Sequence, residues 1–136
     1  MAKTSSNPAP RITEAEWTVM RVLWDLGEAS LGDVVRKLDH PDWKPRTVQS
    51  LVRRLVEKGA LAVEAQGRDF RYRPAVTQNE CQMDEGRSFL QRVFDGRLTP
   101  FVAALVEKRQ VSKDELQQLR ALLDAAEDQT QTRNKS

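Results

Sequence analysis

Pro45-Arg46-Thr47-Val48-Gln49-Ser50-Leu51-Val52-Arg53-Arg54-Leu55-Val56-Glu57-Lys58 decides the fold of this chain, read together with the hairpin-like stretch that follows it. At about 100° per residue, Val48, Leu51, Val52 and Leu55 fall on one side of a helix and must bury. Arg46, Gln49, Ser50, Arg53 and Glu57 fall on the other side, with Thr47 and Arg54 on its flanks. Gly59 stands where a left-handed cap ends such a helix. Beyond it, Leu61, Val63 and Ala65 alternate with polar or small residues. After Gln66-Gly67-Arg68, Phe70 and Tyr72 alternate with Asp69, Arg71 and Arg73. Period-two alternation on both sides of a glycine turn predicts a β-hairpin with one buried face, and Pro74 stops its second strand.

Upstream, the helix starts are legible. Thr13 with Glu16, Thr77 with Glu80, and Ser112 with Glu115 form capping boxes, and Ser30 with Asp33 forms a weaker one. Thr99 before Pro100 reads as a cap followed by proline at the first helical position. The expected map is helices at 14–26, 31–38, 45–58, 78–95, 100–108 and 113–126, with the strand pair between the third and fourth. Three helices leading directly into a hairpin with a basic tip make a winged helix-turn-helix. The fold class is therefore mainly α: a winged helix-turn-helix DNA-binding domain with a small β-hairpin wing, plus a C-terminal three-helix dimerisation region.

The expected domains are a winged-helix domain at 12–76 and a helical dimerisation domain at 77–127. Disordered tails are expected at 1–11, which holds two Pro and small polar residues, and at 128–136, which has no apolar residue.

The composition bounds the function. The 136 residues are 39% hydrophobic and 31% charged, which suits a folded domain rather than a disordered chain. No apolar run reaches the roughly 20 residues of a membrane span, and Met1–Pro10 has no apolar block of a signal peptide. A cytoplasmic protein without membrane insertion is expected. One Cys and one His exclude a disulfide framework and multi-ligand metal sites. No Gly-rich phosphate loop, Ser-His-Asp set or catalytic carboxylate pair occurs. The chain is therefore not expected to be an enzyme, nor to carry a metal or cofactor.

Charge is local. The whole chain carries +2, whereas 44–73 alone carries +5 from eight Lys or Arg against three acids. A local basic surface is what a polyanion binder needs. A major groove about 12 Å wide admits one helix, and the N-terminal residues of that helix point into it. Lys44, Arg46, Thr47, Gln49 and Ser50 stand at that end. Gln49 has the donor and acceptor that adenine matches, and Arg46 can span guanine O6 and N7. Arg53, Arg54, Lys58 and Arg71 suit phosphates, which confer position and salt dependence rather than sequence choice. Arg68 sits at the wing tip. The partner expected on this reading is double-stranded operator DNA. The alternative is a winged-helix protein-interaction module, which alanine at Arg46, Thr47 and Ser50 would leave functional.

Particular runs carry a family resemblance. Ile12-Thr13-Glu14-Ala15-Glu16-Trp17-Thr18-Val19-Met20-Arg21-Val22-Leu23-Trp24 resembles the opening helix of the penicillinase-repressor family (BlaI, MecI and the CopY type). Asp42-Trp43-Lys44-Pro45-Arg46-Thr47-Val48 is similar to the start of its recognition helix. Leu55–Leu61, Ser88-Phe89-Leu90 and Val93-Phe94-Asp95-Gly96 match as well. The resemblance implies a homodimeric repressor of an inverted-repeat operator. It places Arg46, Thr47 and Ser50 at the groove, and Arg68 and Arg71 in the wing. Relief by a signal, with a membrane sensor peptidase as candidate partner, is also implied. Two departures stand out. The paired C-terminal cysteines of the CopY type are missing, Cys81 being the sole cysteine, and Phe101-Val102-Ala103-Ala104-Leu105 lacks the Asn-Phe bond cut in the antibiotic-resistance repressors. Lys44 also stands where a Ser-type cap is expected, a loss of roughly 0.5–1 kcal/mol in local helix stability.

Three short C-terminal helices are too few to insulate a core alone. Met83, Phe89, Leu90, Val93 and Phe94, then Phe101, Val102 and Leu105, then Leu116, Leu119, Leu122 and Leu123 supply apolar surface for a second copy. Trp17 and Trp24 are expected in the core, and Trp43 is expected to fix the approach of the third helix. His40 is expected to be solvated. Cys81 is expected to be a partly buried structural thiol, although a position in a first helical turn can lower a thiol pKa.

Overall fold

The computed structural model describes residues 10–135, with side chains through residue 130. The expected tail at 1–11 therefore lies outside the described residues up to position 9. Among the described residues six helices and one hairpin follow in the expected order: α1 Glu14–Leu26, α2 Leu31–Leu38, α3 Pro45–Glu57, β1 Leu61–Gln66, β2 Asp69–Pro74, α4 Gln78–Phe94, α5 Leu98–Glu107 and α6 Lys113–Lys135. The fold is a winged helix-turn-helix followed by three helices.

Caps set the boundaries of the first unit. Thr13 and Ser30 each close a full capping box, with Glu16 and Asp33 reaching back to the cap N–H. Gly27 ends α1 at φ 82°, a conformation that glycine adopts without steric cost. Pro45 opens α3, and Lys44 makes no side-chain capping bond there. Val19, Met20, Leu23, Val34, Val48, Val52, Leu55 and Leu61 form the core where α1, α2, α3 and the base of the hairpin meet. Trp17 and Trp24 pack on this core at 5.3 Å from each other, and the Trp24 indole donates to the Val76 carbonyl at 2.9 Å.

The hairpin pairs β1 and β2 antiparallel, from Leu61 opposite Pro74 to Gln66 opposite Asp69. Gly67 turns the chain at φ 61°. Ala29, between α1 and α2, bridges the free edge of β2, with Tyr72 N–H to Ala29 O at 2.8 Å and the reverse bond at 2.9 Å. The expectation of a buried face fails toward the tip. Leu61 is buried and Tyr72 half-buried, but Val63 is exposed and Phe70 is 56% exposed. The strands run past the helices that cover their base, so alternation persists where no core lies beneath it.

Contacts divide the chain into two compact units, one through Ser88 and the other from Phe89 onward. The division lies inside α4, not ahead of it as expected, because Cys81 in the first turns of α4 is buried in the core of the first unit. In the second unit Phe89, Phe94 and Phe101 meet edge to face or tilted, at 5.3–5.9 Å. No described residue from Phe89 onward is buried.

Two helix boundaries correct the sequence map. α5 starts at Leu98, with Arg97 as an N-cap that makes no side-chain bond, so Thr99 is not its cap. Pro100 still lies in the first turn, where no backbone N–H has an intrahelical partner to lose. α6 continues through 128–135, the stretch expected as a disordered tail. No Pro or Gly interrupts it, and extending a formed helix needs no apolar residue; the Thr130 hydroxyl bonds back to the Ala126 carbonyl at 2.9 Å.

Candidate nucleic-acid interface

The buried stripe of Val48, Leu51, Val52 and Leu55 fixes the rotation of α3 about its axis. That rotation leaves Arg46, Thr47, Gln49, Arg53 and Arg54 exposed and Ser50 half-exposed on its outer side. The loop before α3 is also fixed. Asp39 adopts a left-handed conformation at φ 45°, and the His40 and Trp43 rings stack at 4.3 Å. Trp43 packs against the core, as expected. His40 is not simply solvated: it is half-buried, and its Nδ1 accepts the Asp42 N–H at 3.2 Å.

The basic residues of 44–73 divide into two groups. Lys44, Arg46, Arg53, Arg54 and Arg68 are exposed and take part in no ion pair among the described residues. They stand on α3 and at the wing tip. The other three are held internally. Lys58 Nζ bonds Glu16 Oε1 at 2.5 Å and the Arg11 carbonyl at 2.9 Å. Arg71 donates from Nε to Glu28 Oε1 at 3.1 Å and from Nη1 to Asp33 Oδ2 at 3.5 Å. Arg73 pairs with Glu64 at 3.1 Å across the hairpin. Lys58 and Arg71, both expected at phosphates, are thus engaged within the fold. Their carboxylate partners were missed by sequence reasoning. The capping boxes flag Glu16 and Asp33 as helix-start residues, but nothing local signals a partner 42 or 38 residues away.

Among the described residues Glu16 is the one buried charged side chain, at 1% exposure. Burial pushes its carboxyl up. The Lys58 ammonium and the Thr13 N–H outweigh burial and hold it below the usual carboxylate range. Asp33 is lowered by the Ser30 N–H and hydroxyl and by Arg36. The Cys81 thiol is pushed up to about 11, first by burial and then by Glu80, Asp84 and Glu85. The helix-start effect that favours a thiolate is therefore overridden.

The residues expected at a dimer interface divide by exposure. Met83, Val93, Leu116, Leu122 and Leu123 are exposed, whereas Phe89, Leu90, Phe94, Phe101, Val102, Leu105 and Leu119 are half-buried. Among the described residues no helix is long and apolar enough to cross a membrane, and no group of three His, Cys, Asp or Glu side chains is placed to hold a metal.

Comparison with known proteins adds the family. The penicillinase repressor profile matches residues 12–125. The penicillinase repressor of Bacillus licheniformis is 33% identical over 116 residues, covering 85% of this chain and 91% of that protein. The methicillin resistance regulatory protein MecI of Staphylococcus aureus strain N315 is 29% identical over 119 residues, covering 87% and 97%. Among solved structures, the monomeric form of Bacillus licheniformis BlaI in complex with the blaP half-operator is 34% identical. It covers 53% of this chain and 89% of that one, with a TM-score of 0.47.

Proposed function

The chain belongs to the penicillinase repressor family and is a DNA-binding transcriptional repressor, not an enzyme, and from that premise we propose that it acts as a homodimer on an inverted-repeat operator. One observation carries the reading: the outer side of α3 and the wing tip present five cations with no internal ion-pair partner among the described residues. In the proposed complex α3 lies in the major groove. Arg46, Thr47, Gln49 and Ser50 face base edges, and Lys44, Arg53, Arg54 and Arg68 face phosphates.

The homodimer follows from the second unit. Its leucines on α6, with Leu122 at 67% and Leu123 at 64% exposure, are apolar surface that water disfavours. A two-fold copy covers that surface and brings two α3 helices to two half-sites about one helical turn apart. Relief by a partner sensor, with a membrane peptidase as candidate, completes the proposal.

The test is a titration against the duplex upstream of its own gene, beside a scrambled duplex, at several salt concentrations. Four phosphate contacts per protomer give a slope of log affinity against log salt near −3.6, or about −7 for a dimer. Alanine at Arg46 with Thr47 abolishes the preference for the upstream duplex. Equal, salt-insensitive binding to both duplexes overturns the reading.

A further inference from the structure

We propose that Arg71 is a positioning residue that fixes the wing against the start of α2, and that Arg68 at the tip makes the wing's electrostatic contact with DNA. This rests on the operator-binding reading above and assigns different work to two arginines of one strand pair.

Three observations carry it. The Arg71 guanidinium reaches two carboxylates at once, Glu28 Oε1 at 3.1 Å and Asp33 Oδ2 at 3.5 Å, from the connection before α2 and its first turn. The planar fork of a guanidinium suits such a bridge, with separate nitrogens directed at the two carboxylates, whereas a lysine offers one ammonium nitrogen for both. Next along the strand, Tyr72 exchanges both backbone hydrogen bonds with Ala29, so the side-chain bridge and the backbone bridge tie β2 to the same α1–α2 connection. Finally, charge is balanced there. Asp33 also binds Arg36, so Arg36 and Arg71 meet Glu28 and Asp33, two cations against two anions. A phosphate approaching Arg71 meets no surplus of positive charge and two carboxylates close by. Arg68 follows Gly67 in the turn between Gln66 and Asp69, and is exposed with no ion pair among the described residues.

The two roles predict opposite signs for a change that leaves Arg71 in place. Glu28→Gln removes one anchor and frees the guanidinium. If Arg71 positions the wing, binding to the upstream duplex weakens by at least about twofold, the low end of coupling within one ion-pair network. If Arg71 contacts phosphate, losing a nearby negative charge tightens binding. A second arm uses the tip. Arg68→Ala makes the salt slope shallower by about 0.9 per protomer. Adding Arg71→Ala to Arg68→Ala then changes neither affinity nor slope, because the wing has no charge contact left to place. A further 0.9 lost in the double variant overturns the proposal. Arg71→Lys retains the charge and should behave as Arg71→Ala; rescue by lysine overturns the proposal too.

Thermal melts of each variant are run in parallel. A purely structural role lowers the melting temperature and leaves the Arg68 increment intact, whereas positioning removes that increment. Arg46→Ala separates the two levels of the argument. If it leaves binding to the upstream duplex unchanged, the operator-binding reading fails and this proposal with it. If it weakens binding and the arms above go the other way, only the role of Arg71 is wrong.

Discussion

Replacing Lys58 by Met removes one partner of a buried ion pair and retains most of the side-chain volume. Glu16 is left at 1% exposure without its ammonium, and the Arg11 carbonyl loses a donor. Breaking a buried pair from one side costs about 3–5 kcal/mol. The lower end applies here, because the Lys58 side chain is 33% exposed and Glu16 keeps the Thr13 N–H at 2.9 Å. The lost bond to Arg11 adds about 0.5–1.5 kcal/mol. The expected destabilisation at pH 7 is therefore about 3.5–4.5 kcal/mol. For a domain of 60–100 residues, each kcal/mol moves the melting temperature by about 4–8 °C, so a fall of at least about 14 °C is expected.

The pH dependence supplies a sign. In the wild type the folded Glu16 pKa is depressed, so its contribution is present above the unfolded pKa and is lost as pH falls through the folded one. Without Lys58, burial is the largest remaining influence and raises the pKa of the carboxyl. The variant then gains relative stability as the buried group takes up a proton. The gap between variant and wild type should be widest at neutral pH and should close in acid. Urea unfolding of both proteins at pH 7 and pH 4, at one fixed protein concentration, measures it. A gap under about 1 kcal/mol at pH 7, or the same gap at both pH values, refutes the account of Glu16 and Lys58 as a buried pair.

Three further outcomes follow from burial. Cys81, buried and with its pKa pushed up to about 11, should resist iodoacetamide at pH 8 in the native protein and react only when urea unfolds it; rapid native alkylation contradicts the assignment. Phe70→Ala should cost about 1 kcal/mol by chemical denaturation, well short of the roughly 3–5 kcal/mol of a buried phenylalanine; a cost above 3 kcal/mol means that this face is covered in solution. Leu123→Glu should dissociate the proposed homodimer. The residue occurs twice in a two-fold interface at about 1.5–3 kcal/mol each, so the dimerisation constant should fall by about 10² to 10⁴ in sedimentation; an unchanged constant removes α6 from the interface.

The helices and the strand pair of the first unit were legible because the signals that set them are local. Capping at Thr13 and Ser30, the glycines at Gly27, Gly59 and Gly67, and the buried stripe of α3 all act within a few residues of the structure they fix. Where the reading failed, the deciding fact was a neighbour distant in sequence or missing altogether. Phe70 alternates correctly for a buried face, and only the length of the hairpin relative to the helices beneath it leaves the ring in water. α6 runs past Glu127 because nothing stops a helix there, although no apolar residue recommends one.

Charge counting has the same weakness. The +5 of the 44–73 window overstates the positive charge left free for a partner, since Lys58, Arg71 and Arg73 spend their charge on Glu16, Glu28, Asp33 and Glu64. Of these four acids only Glu64 lies inside the window. The excess over the paired residues resides at the start and outer side of α3 and at the wing tip, where these cations form no ion pair among the described residues. Internal pairing thus does two things at once. It holds α3 and the wing to the rest of the domain through Lys58 and Arg71, and it removes those cations from the proposed DNA-facing surface. The remaining positive charge is concentrated on the elements whose placement the paired residues secure. A salt slope much steeper than four contacts per protomer would mean that the internal pairs open on DNA, and that the two groups of cations are one.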